Sequence, residues 1–466
     1  MSARTAPIFC LGVATLMGLL ATPSLASPQD PTASNQTPDQ GGQGGGAAQG
    51  TAQNGPMGQP AVPAATAGGF LRALGTANPL GDEEGPLAWG PLSIRSAEIQ
   101  EFYGKTEVPN DVAGVPPSTS QTVTLVSTTV ALARVIDRYQ VALQYEPSMF
   151  VTNGTASYDA NQQAGLDTLF QLAPRWSLGV ADHFTYYASQ RPFAGFALDT
   201  DYVTGGVVQN NFLQGPGSVM VNGFDAALNY LWTPRTIVSF GPSFGYQRST
   251  GSLSGTGQAV SALYQGGKTA VTYNLSATST IGATYLAQYA NFTNTTKAAG
   301  PTGGELLQDA LAHYARALNA NWKLSLGLGV ALNSGNAGGN NLAVEAGIGR
   351  LVHRGDFTVS YNQGHAFNGF VTGQVTSRVD GIQHFFWTQR FSTGTSVSYF
   401  TTTGAPPKTS GFFASEQFSF LLARHVSVFG QGAFVRQSGD DVYILSARRY
   451  LGSIGLRWDA APPAVH

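Results

Sequence analysis

The sequence predicts an all-β fold: a closed antiparallel up-and-down transmembrane barrel of about 18 strands. Three observations favour it: a period-two alternation of apolar and polar residues, a scarcity of charge, and an N-terminal export signal. Only 11% of the 466 residues are charged, whereas soluble domains average about 25%. Beyond the signal, no stretch approaches the roughly 18 consecutive apolar residues of a membrane helix. The composition therefore fits neither an ordinary soluble surface nor a helical bundle.

The N-terminal segment 1–26 has the order of regions typical of a secretory signal peptide. Arg4 supplies a positive start, residues 8–20 are apolar, and Ser24 to Ala26 offer the small residues that precede a cleavage site. The alternative is a short helix of the mature fold. Cys10 is the only cysteine and lies in the segment to be removed, so we expect no disulfide and no cysteine metal site.

Residues 27–88 are predicted to form a disordered periplasmic linker rich in Gly, Gln, Pro and Ala. Residues 27–69 contain two Asp but no Lys, Arg or aromatic residue, so they cannot bury enough apolar surface to offset their ordering entropy. The segment is a spacer or, alternatively, a partner-binding tail. Without Arg4 the chain keeps 24 − 1 = 23 basic against 26 acidic residues. This balance lacks a basic footprint, and we expect no nucleic-acid partner.

The alternation is clearest in "WKLSLGLGVAL" (322–332). Trp322, Leu324 and Leu326 share one face of an extended strand, and Lys323 and Ser325 share the other. A soluble sandwich or β-helix, the alternative, normally carries Lys, Glu and Arg on its polar face, whereas Ser, Gly, Thr and Asn dominate here. Apolar residues outside, weakly polar residues inside and aromatics near strand ends are typical of a transmembrane barrel. Lipid requires the sheet to close, because an open edge would leave backbone groups unpaired.

Short turns set the number of strands. They are predicted at 137–138, 174–175, 233–235, 277–279, 319–321, 353–356, 388–390 and 424–425. Eight turns join sixteen strands between about Val123 and Val435, and strands at Trp89–Gly104 and about Val442–Trp458 raise the total to eighteen, with sixteen as the alternative.

The same pattern places a barrel domain at 89–458 and a loose C-terminal tail at 459–466. Long connections belong outside the cell, and 105–121 and 152–161 are predicted to be two of them. The longest, Ala188 to Gly217, has the length to narrow or cap the mouth of the barrel.

The last strand, "YLGSIGLRW", alternates toward one face and ends on an aromatic residue. The residues on this face are Tyr450, Gly452, Ile454, Leu456 and Trp458. The pattern resembles the C-terminal signal that the outer-membrane barrel assembly machinery recognises, although "DAAPPAVH" follows it.

With the entry strand "GPLSIRS" and the hairpin rhythm, residues from about Trp89 to Trp458 resemble the β-barrel porins and large outer-membrane barrel proteins of Gram-negative bacteria. Some of these are associated with exopolysaccharide export. The resemblance implies an outer-membrane location, contact with outer-membrane lipid and lipopolysaccharide, and transport. It specifies no substrate.

Strand parity points a small set of polar side chains into the lumen. These candidates are Glu146, Asp167, His183, Asp225, Ser243, Arg316, Lys323, Glu345, Arg378 and Asp380. Paired charges would brace the wall, and unpaired charges would bias which ions pass; both interpretations stay open. The facing of Arg378 and Asp380 is ambiguous, because the neighbouring apolar residues do not hold one parity.

The sequence offers little catalytic chemistry. "GPSFG" (241–245) matches G-x-S-x-G, but Ser243 lies within a strand rather than on the strand-to-helix elbow that this motif requires. Asp182 and His183 are adjacent, and parity turns Asp182 toward lipid. We therefore expect no catalytic, cofactor or metal site. The expected function is a passive pore for small polar solutes or polysaccharide; the alternatives are a structural or surface-interaction barrel plugged by its long loop and, third, an outer-membrane enzyme.

Overall fold

The computed structural model describes twelve stretches of the chain, which form one closed antiparallel β-barrel. They are residues 88–89, 92–107, 118–136, 138–152, 155–187, 218–249, 260–294, 303–334, 340–365, 375–403, 409–439 and 446–460. The predicted signal peptide, nearly all of the predicted linker and the connection 188–217 lie outside these residues. Among the described residues, no helix has the length and apolar character needed to cross a membrane.

Eighteen strands form the ring, and β1 (Ala88–Trp89) pairs with the start of the first of them. The ring strands are β2 (Leu92–Glu107), β3 (Ser118–Ile136), β4 (Tyr139–Thr152), β5 (Thr155–Ala173), β6 (Trp176–Tyr187), β7 (Val219–Thr233), β8 (Thr236–Ser249), β9 (Val260–Asn274), β10 (Ser279–Asn294), β11 (Gly303–Ala317), β12 (Trp322–Asn333), β13 (Asn341–Val352), β14 (Gly355–His365), β15 (Val375–Phe386), β16 (Phe391–Thr403), β17 (Thr409–Ala423), β18 (Val426–Gly439) and β19 (Ala447–Asp459).

Each ring strand pairs antiparallel with the next strand in the chain, and β19 closes the ring on β2. The closing ladder runs from Asp459 opposite Ser96 to Arg448 opposite Glu107. Closure leaves no unpaired sheet edge, which the hydrocarbon core of a membrane requires. The prediction of a closed barrel with eighteen strands is confirmed, and the strands reverse at or next to the eight predicted short turns.

The strands extend further toward the long connections than the sequence predicted. β2 continues to Glu107 and β3 begins at Ser118, and residues 155–160 belong to β5 rather than to a loop. Polar residues at these ends gave no apolar alternation to read. They can still pair as strands, because a strand can continue beyond the membrane. β5 has 19 residues, which is more than a strand needs to cross the roughly 25 Å apolar band that faces lipid. The last strand likewise includes Asp459, which the prediction assigned to the tail.

The two faces of the wall differ in chemistry. The outer face carries exposed large apolar side chains, among them Leu328 at 60% and Ile454 at 59% exposure. Aromatic pairs bound this face: Trp176 stacks on Tyr230 at 4.4 Å between ring centroids next to a short turn. Phe434 lies 5.3 Å from Tyr450 toward the opposite end. An outward apolar band between aromatic girdles is the pattern of a lipid-facing wall.

Buried apolar clusters lie on the inner face, in the halves of the strands that lead to the long connections. Members of one cluster come from β2, β3, β18 and β19, those of a second from β9 to β11, and those of a third from β12, β13 and β15. The clusters comprise Phe102, Val123, Leu125, Ala433, Val435 and Leu451; Ala262, Tyr264, Ala290 and Leu307; and Ala331, Ala343 and Val375. The inner wall is therefore apolar in places toward the extracellular end.

Candidate lumen surface

Cross-strand register decides which side chains share the inner face, because directly paired residues in a sheet point the same way. Asp225 pairs with Ser243, and Lys323 and Glu345 fall on the same face through their partners Gly349 and Gly327. The predicted residues on the inner face are Glu146, Asp167, His183, Asp225, Ser243, Lys323, Glu345, Arg378 and Asp380. Arg378 pairs with Asn362, which itself pairs with Glu345, and this resolves its ambiguous facing.

Arg316 is the exception, and its prediction as a lumen residue is wrong. It pairs with Leu324, which belongs to the outer face of β12, and lies close to the end of β11. The sequence misled because β11 carries Leu307 and Leu311 on its inner face, where they join apolar clusters. Polarity therefore does not mark the two faces of this strand.

A contact between His313 and Glu345 crosses the inner face of β12. His313 Nδ1 lies 3.3 Å from Glu345 Oε2, and its Nε2 lies 3.0 Å from Thr284 Oγ1. Gly327 sits between them, and a Cβ there would lie 3.1 Å from the Glu345 Cβ and 3.2 Å from His313 Nδ1. The ammonium group of Lys268 interacts electrostatically with Asp225 and Glu345. Sequence reasoning missed both His313 and Lys268. The alternation of β9 offered a signal for Lys268, whereas β11 offered none for His313 because polarity does not mark its two faces.

Arg378 and Asp380 form an ion pair on the inner face of β15. Arg378 Nε donates to Asp380 Oδ1 at 2.6 Å, and Arg378 Nη2 lies 2.6 Å from the same oxygen. The side chains are 14% and 6% exposed, so water screens this pair little. The two charges lie on one strand and compensate each other, so they leave little net field along the wall.

A contact between His365 and Asp309, the His365–Asp309 clasp, joins the extracellular parts of β11 and β14. His365 Nδ1 lies 2.7 Å from Asp309 Oδ1, although β12 and β13 separate the two strands in the ring. Asp309 faces inward beside Leu311, and the His365 side chain is 1% exposed. His365 has the parity of the outward residues Tyr361 and Gln363, so this contact shows that the end of β14 bends away from regular alternation.

Ser243 takes part in a buried hydrogen bond that spans three strands. Gln288 Nε2 on β10 donates to Ser243 Oγ on β8 at 3.1 Å. Gly266 on β9 lies between them in register. A Cβ at Gly266 would lie 2.7 Å from the Gln288 Cα and closer still to the Ala287 carbonyl oxygen. Ser243 thus has a structural partner, and β8 continues as a strand to Ser249 instead of turning at Ser243 as a nucleophile elbow would.

Carboxylates outnumber basic groups on the described inner face. Register places ten acidic and five basic side chains there, a formal charge of 5 − 10 = −5 with histidines neutral. The acidic residues are Glu98, Glu146, Asp167, Asp225, Glu305, Asp309, Glu345, Asp356, Asp380 and Asp459; the basic ones are Lys268, Lys323, Arg378, Arg449 and Arg457. A wall of this sign attracts cations more than anions.

Asp182 and His183 point to opposite faces and do not form a joint site. Asp182 pairs with Phe224 on the outer face, where Asn222 Nδ2 donates to its Oδ1 at 2.9 Å. His183 pairs with Gly165 on the inner face. Within the described part of the chain, no three His, Cys, Asp or Glu side chains come together as metal ligands.

The residues of the predicted assembly signal alternate on the outer face of β19, where Ile454 and Leu456 are exposed. Trp458 pairs with Val426 and with Ala97 across the closing ladder. This placement fits a strand that is read from its lipid-facing side. Recognition by the assembly machinery stays a prediction.

The closed ring, the apolar outer face with its aromatic girdles and the polar inner wall define a transmembrane β-barrel. No family model and no curated protein matches the chain.

Solved structures of outer-membrane barrels do resemble it. They include the siderophore receptor PirA of Pseudomonas aeruginosa, at 7% identity over 80% of this chain and 82% of that chain, TM-score 0.39. OpdQ of P. aeruginosa matches at 10% identity over 78% and 97%, TM-score 0.40, and OccK9 (OpdG) of the same organism at 8% over 78% and 98%, TM-score 0.40.

Proposed function

We propose that the barrel is a passive pore for small polar solutes. The observation that carries this proposal is the closed ring of eighteen strands. With strands about 4.8 Å apart and tilted by about 40°, such a ring is roughly 35 Å across between backbones. Side chains from opposite walls cannot fill that width, and barrels of 16–18 strands leave an aqueous channel.

The inner wall suits uncharged or weakly cationic solutes. Hydroxyl, amide and carboxylate groups offer donors and acceptors, while Gly241, Gly327 and Gly329 occupy little volume. The excess of carboxylates gives a mild cation preference rather than strong selection. The proposal requires no catalytic step and no cofactor.

Planar-bilayer recording of the refolded mature chain tests the pore. We expect steady conductance, with a reversal potential of the sign for cation preference in a salt gradient. Deletion of residues 188–217 should increase the conductance if that connection restricts the opening. Two silent barrels, with and without the deletion, would contradict the pore.

Solute size separates simple diffusion from polysaccharide export. Liposome swelling with sugars of increasing length should show a sharp decline beyond small oligosaccharides for a solute pore. Entry of long chains through the wild-type barrel would favour the export function instead.

The second candidate is a structural or surface-interaction barrel whose lumen is blocked. The buried apolar clusters on the inner face and the His365–Asp309 clasp favour it. A barrel that folds and stays silent after the deletion of 188–217, and also after His365→Ala with Asp309→Ala, would support this candidate.

A further inference from the structure

Three basic side chains gather on the lipid-facing side of the wall, at the extracellular ends of neighbouring strands β18, β19 and β2. Arg436 pairs directly with Arg448 across β18 and β19. Lys105 pairs with Tyr450, so it faces outward beside them, with its side chain 42% exposed. Both arginines are exposed.

The paired arginines are electrostatically unfavourable by themselves. Like charges directly opposite each other in a sheet are destabilising. Glu107, which pairs with Arg448, offsets one charge, but its Oε1 is engaged by Lys105 Nζ at 2.7 Å. Among the described residues at this end of the three strands, three outward positive charges against one negative charge leave an excess of two. An anion placed over the two guanidinium groups would remove the repulsion.

The depth of Arg436 and Arg448 in the membrane follows from the aromatic residues on the same outer face. Phe412, Phe434 and Tyr450 form a ladder on the same outer face, with centroid separations of 6.3 and 5.3 Å. Phe434 and Tyr450 each lie one outward position nearer the membrane centre than Arg436 and Arg448. Aromatic girdles mark the membrane–water interface. The two arginines therefore stand at the level of lipid headgroups, and Lys105, which pairs with Tyr450, extends toward them from one position deeper.

The concentration of charge is local rather than a general feature of the rim. In the described strands, the other outward-facing basic residue near an extracellular end is Arg248, which stands alone on β8. Outward residues at the corresponding end of β4, β6, β12 and β13 include Val151, Tyr186, Leu332 and Leu342.

From these observations we propose that Arg436, Arg448 and Lys105 form a binding site for the phosphorylated headgroup of an outer-leaflet glycolipid, lipid A. Each guanidinium can donate two parallel hydrogen bonds to phosphate oxygens. The acyl chains of the lipid would lie over Phe434 and Tyr450, which supply apolar contact directly below. The site is on the outside of the barrel and does not depend on whether the lumen conducts.

Binding of lipid A to the detergent-solubilised, refolded barrel tests the site. The probes are phosphorylated lipid A and its dephosphorylated form, with bound lipid quantified by native mass spectrometry. Each basic residue near an anionic surface contributes roughly a fivefold gain in affinity. Arg436→Gln with Arg448→Gln should therefore weaken binding of the phosphorylated form about thirtyfold and leave the dephosphorylated form unchanged.

Matched variants make the result decisive. Arg248→Gln removes an outward arginine of the same rim and should leave affinity within about twofold. Arg436→Lys with Arg448→Lys keeps the charge and should recover part of the loss. Heat-modifiable migration on gels confirms that every variant is folded. Unchanged binding by the double glutamine variant would overturn the proposal. So would an equal loss in Arg248→Gln, or displacement of the lipid by millimolar inorganic phosphate.

Discussion

Gly266→Ala should destabilise the barrel far more than an ordinary glycine substitution in a strand. Gly266 is the middle position of the buried bridge between Gln288 and Ser243. An added methyl group would approach the Ala287 carbonyl oxygen and would lie 2.7 Å from the Gln288 Cα. Both obstacles are backbone, so β9 and β10 must separate locally to admit it.

The expected magnitude follows from two costs and one gain. Overpacking of a tight site costs about 1–3 kcal/mol, and loss of the Gln288–Ser243 hydrogen bond costs about 0.5–1.5 kcal/mol. The reduced entropy of the unfolded chain returns about 0.4–1 kcal/mol. The free energy of unfolding should therefore fall by about 2–3 kcal/mol.

Gly223→Ala is the matched control. Gly223 lies on the inner face of β7, and a Cβ there would meet nothing within 4 Å. Its substitution should be neutral or stabilise by up to about 1 kcal/mol. Ser243→Ala isolates the hydrogen-bond contribution, because it removes the acceptor without adding a methyl group near β10.

Equilibrium unfolding in denaturant, followed by tryptophan fluorescence of the barrel refolded into lipid vesicles, measures these differences. Reversibility must be shown by coincident refolding and unfolding curves. A loss for Gly266→Ala within about 0.5 kcal/mol of the Gly223→Ala value would refute the close approach of the strands on which the reasoning rests.

Three further outcomes are expected. Glu416 is the central residue of β17 and faces outward, where Thr395 Oγ1 donates a hydrogen bond to it. Because a lipid-facing charge is costly, Glu416→Gln should raise the free energy of unfolding by about 1–2 kcal/mol. No gain in the same unfolding assay would count against this placement. Trp458→Ala with Leu456→Ser should lower the amount of the protein in the outer membrane, measured on immunoblots, whereas deletion of residues 461–466 should not. Equal losses in the two variants would mean that the assembly signal lies elsewhere. Deletion of residues 27–69 should leave heat-modifiable migration unchanged, and loss of the folded band would show that this segment is not a mere linker.

The face of the wall on which a side chain lies, toward lipid or toward the lumen, could be predicted from the sequence wherever the two environments require different side chains. In β12, Trp322, Leu324 and Leu326 face lipid, while Lys323 and Ser325 face the lumen, and the alternation alone assigned all five. The rule failed at Arg316, because β11 carries Leu307 and Leu311 on its inner face and polarity therefore does not distinguish the two faces of this strand.

The contacts of the inner wall could not be predicted, because alternation assigns a face but not a neighbour. His313 and Glu345 are 32 residues apart, and Gln288 and Ser243 are 45 apart. Their meeting depends on the stagger between successive strands, which accumulates around the ring. The bend at His365 adds a departure from regular alternation that no local pattern encodes.

Register aligns the polar groups of the inner wall into a continuous row over five strands. His313, Gly327, Glu345, Asn362 and Arg378 pair in succession from β11 to β15. The row holds one carboxylate, Glu345, and one guanidinium, Arg378, with the amide of Asn362 between them, and Arg378 is already held by Asp380. Paired charges project little field into the lumen yet keep hydrogen-bonding groups along its wall. Such a row favours solutes that carry many hydroxyl groups and little charge, because they can exchange water for wall contacts without having to neutralise an unpaired charge.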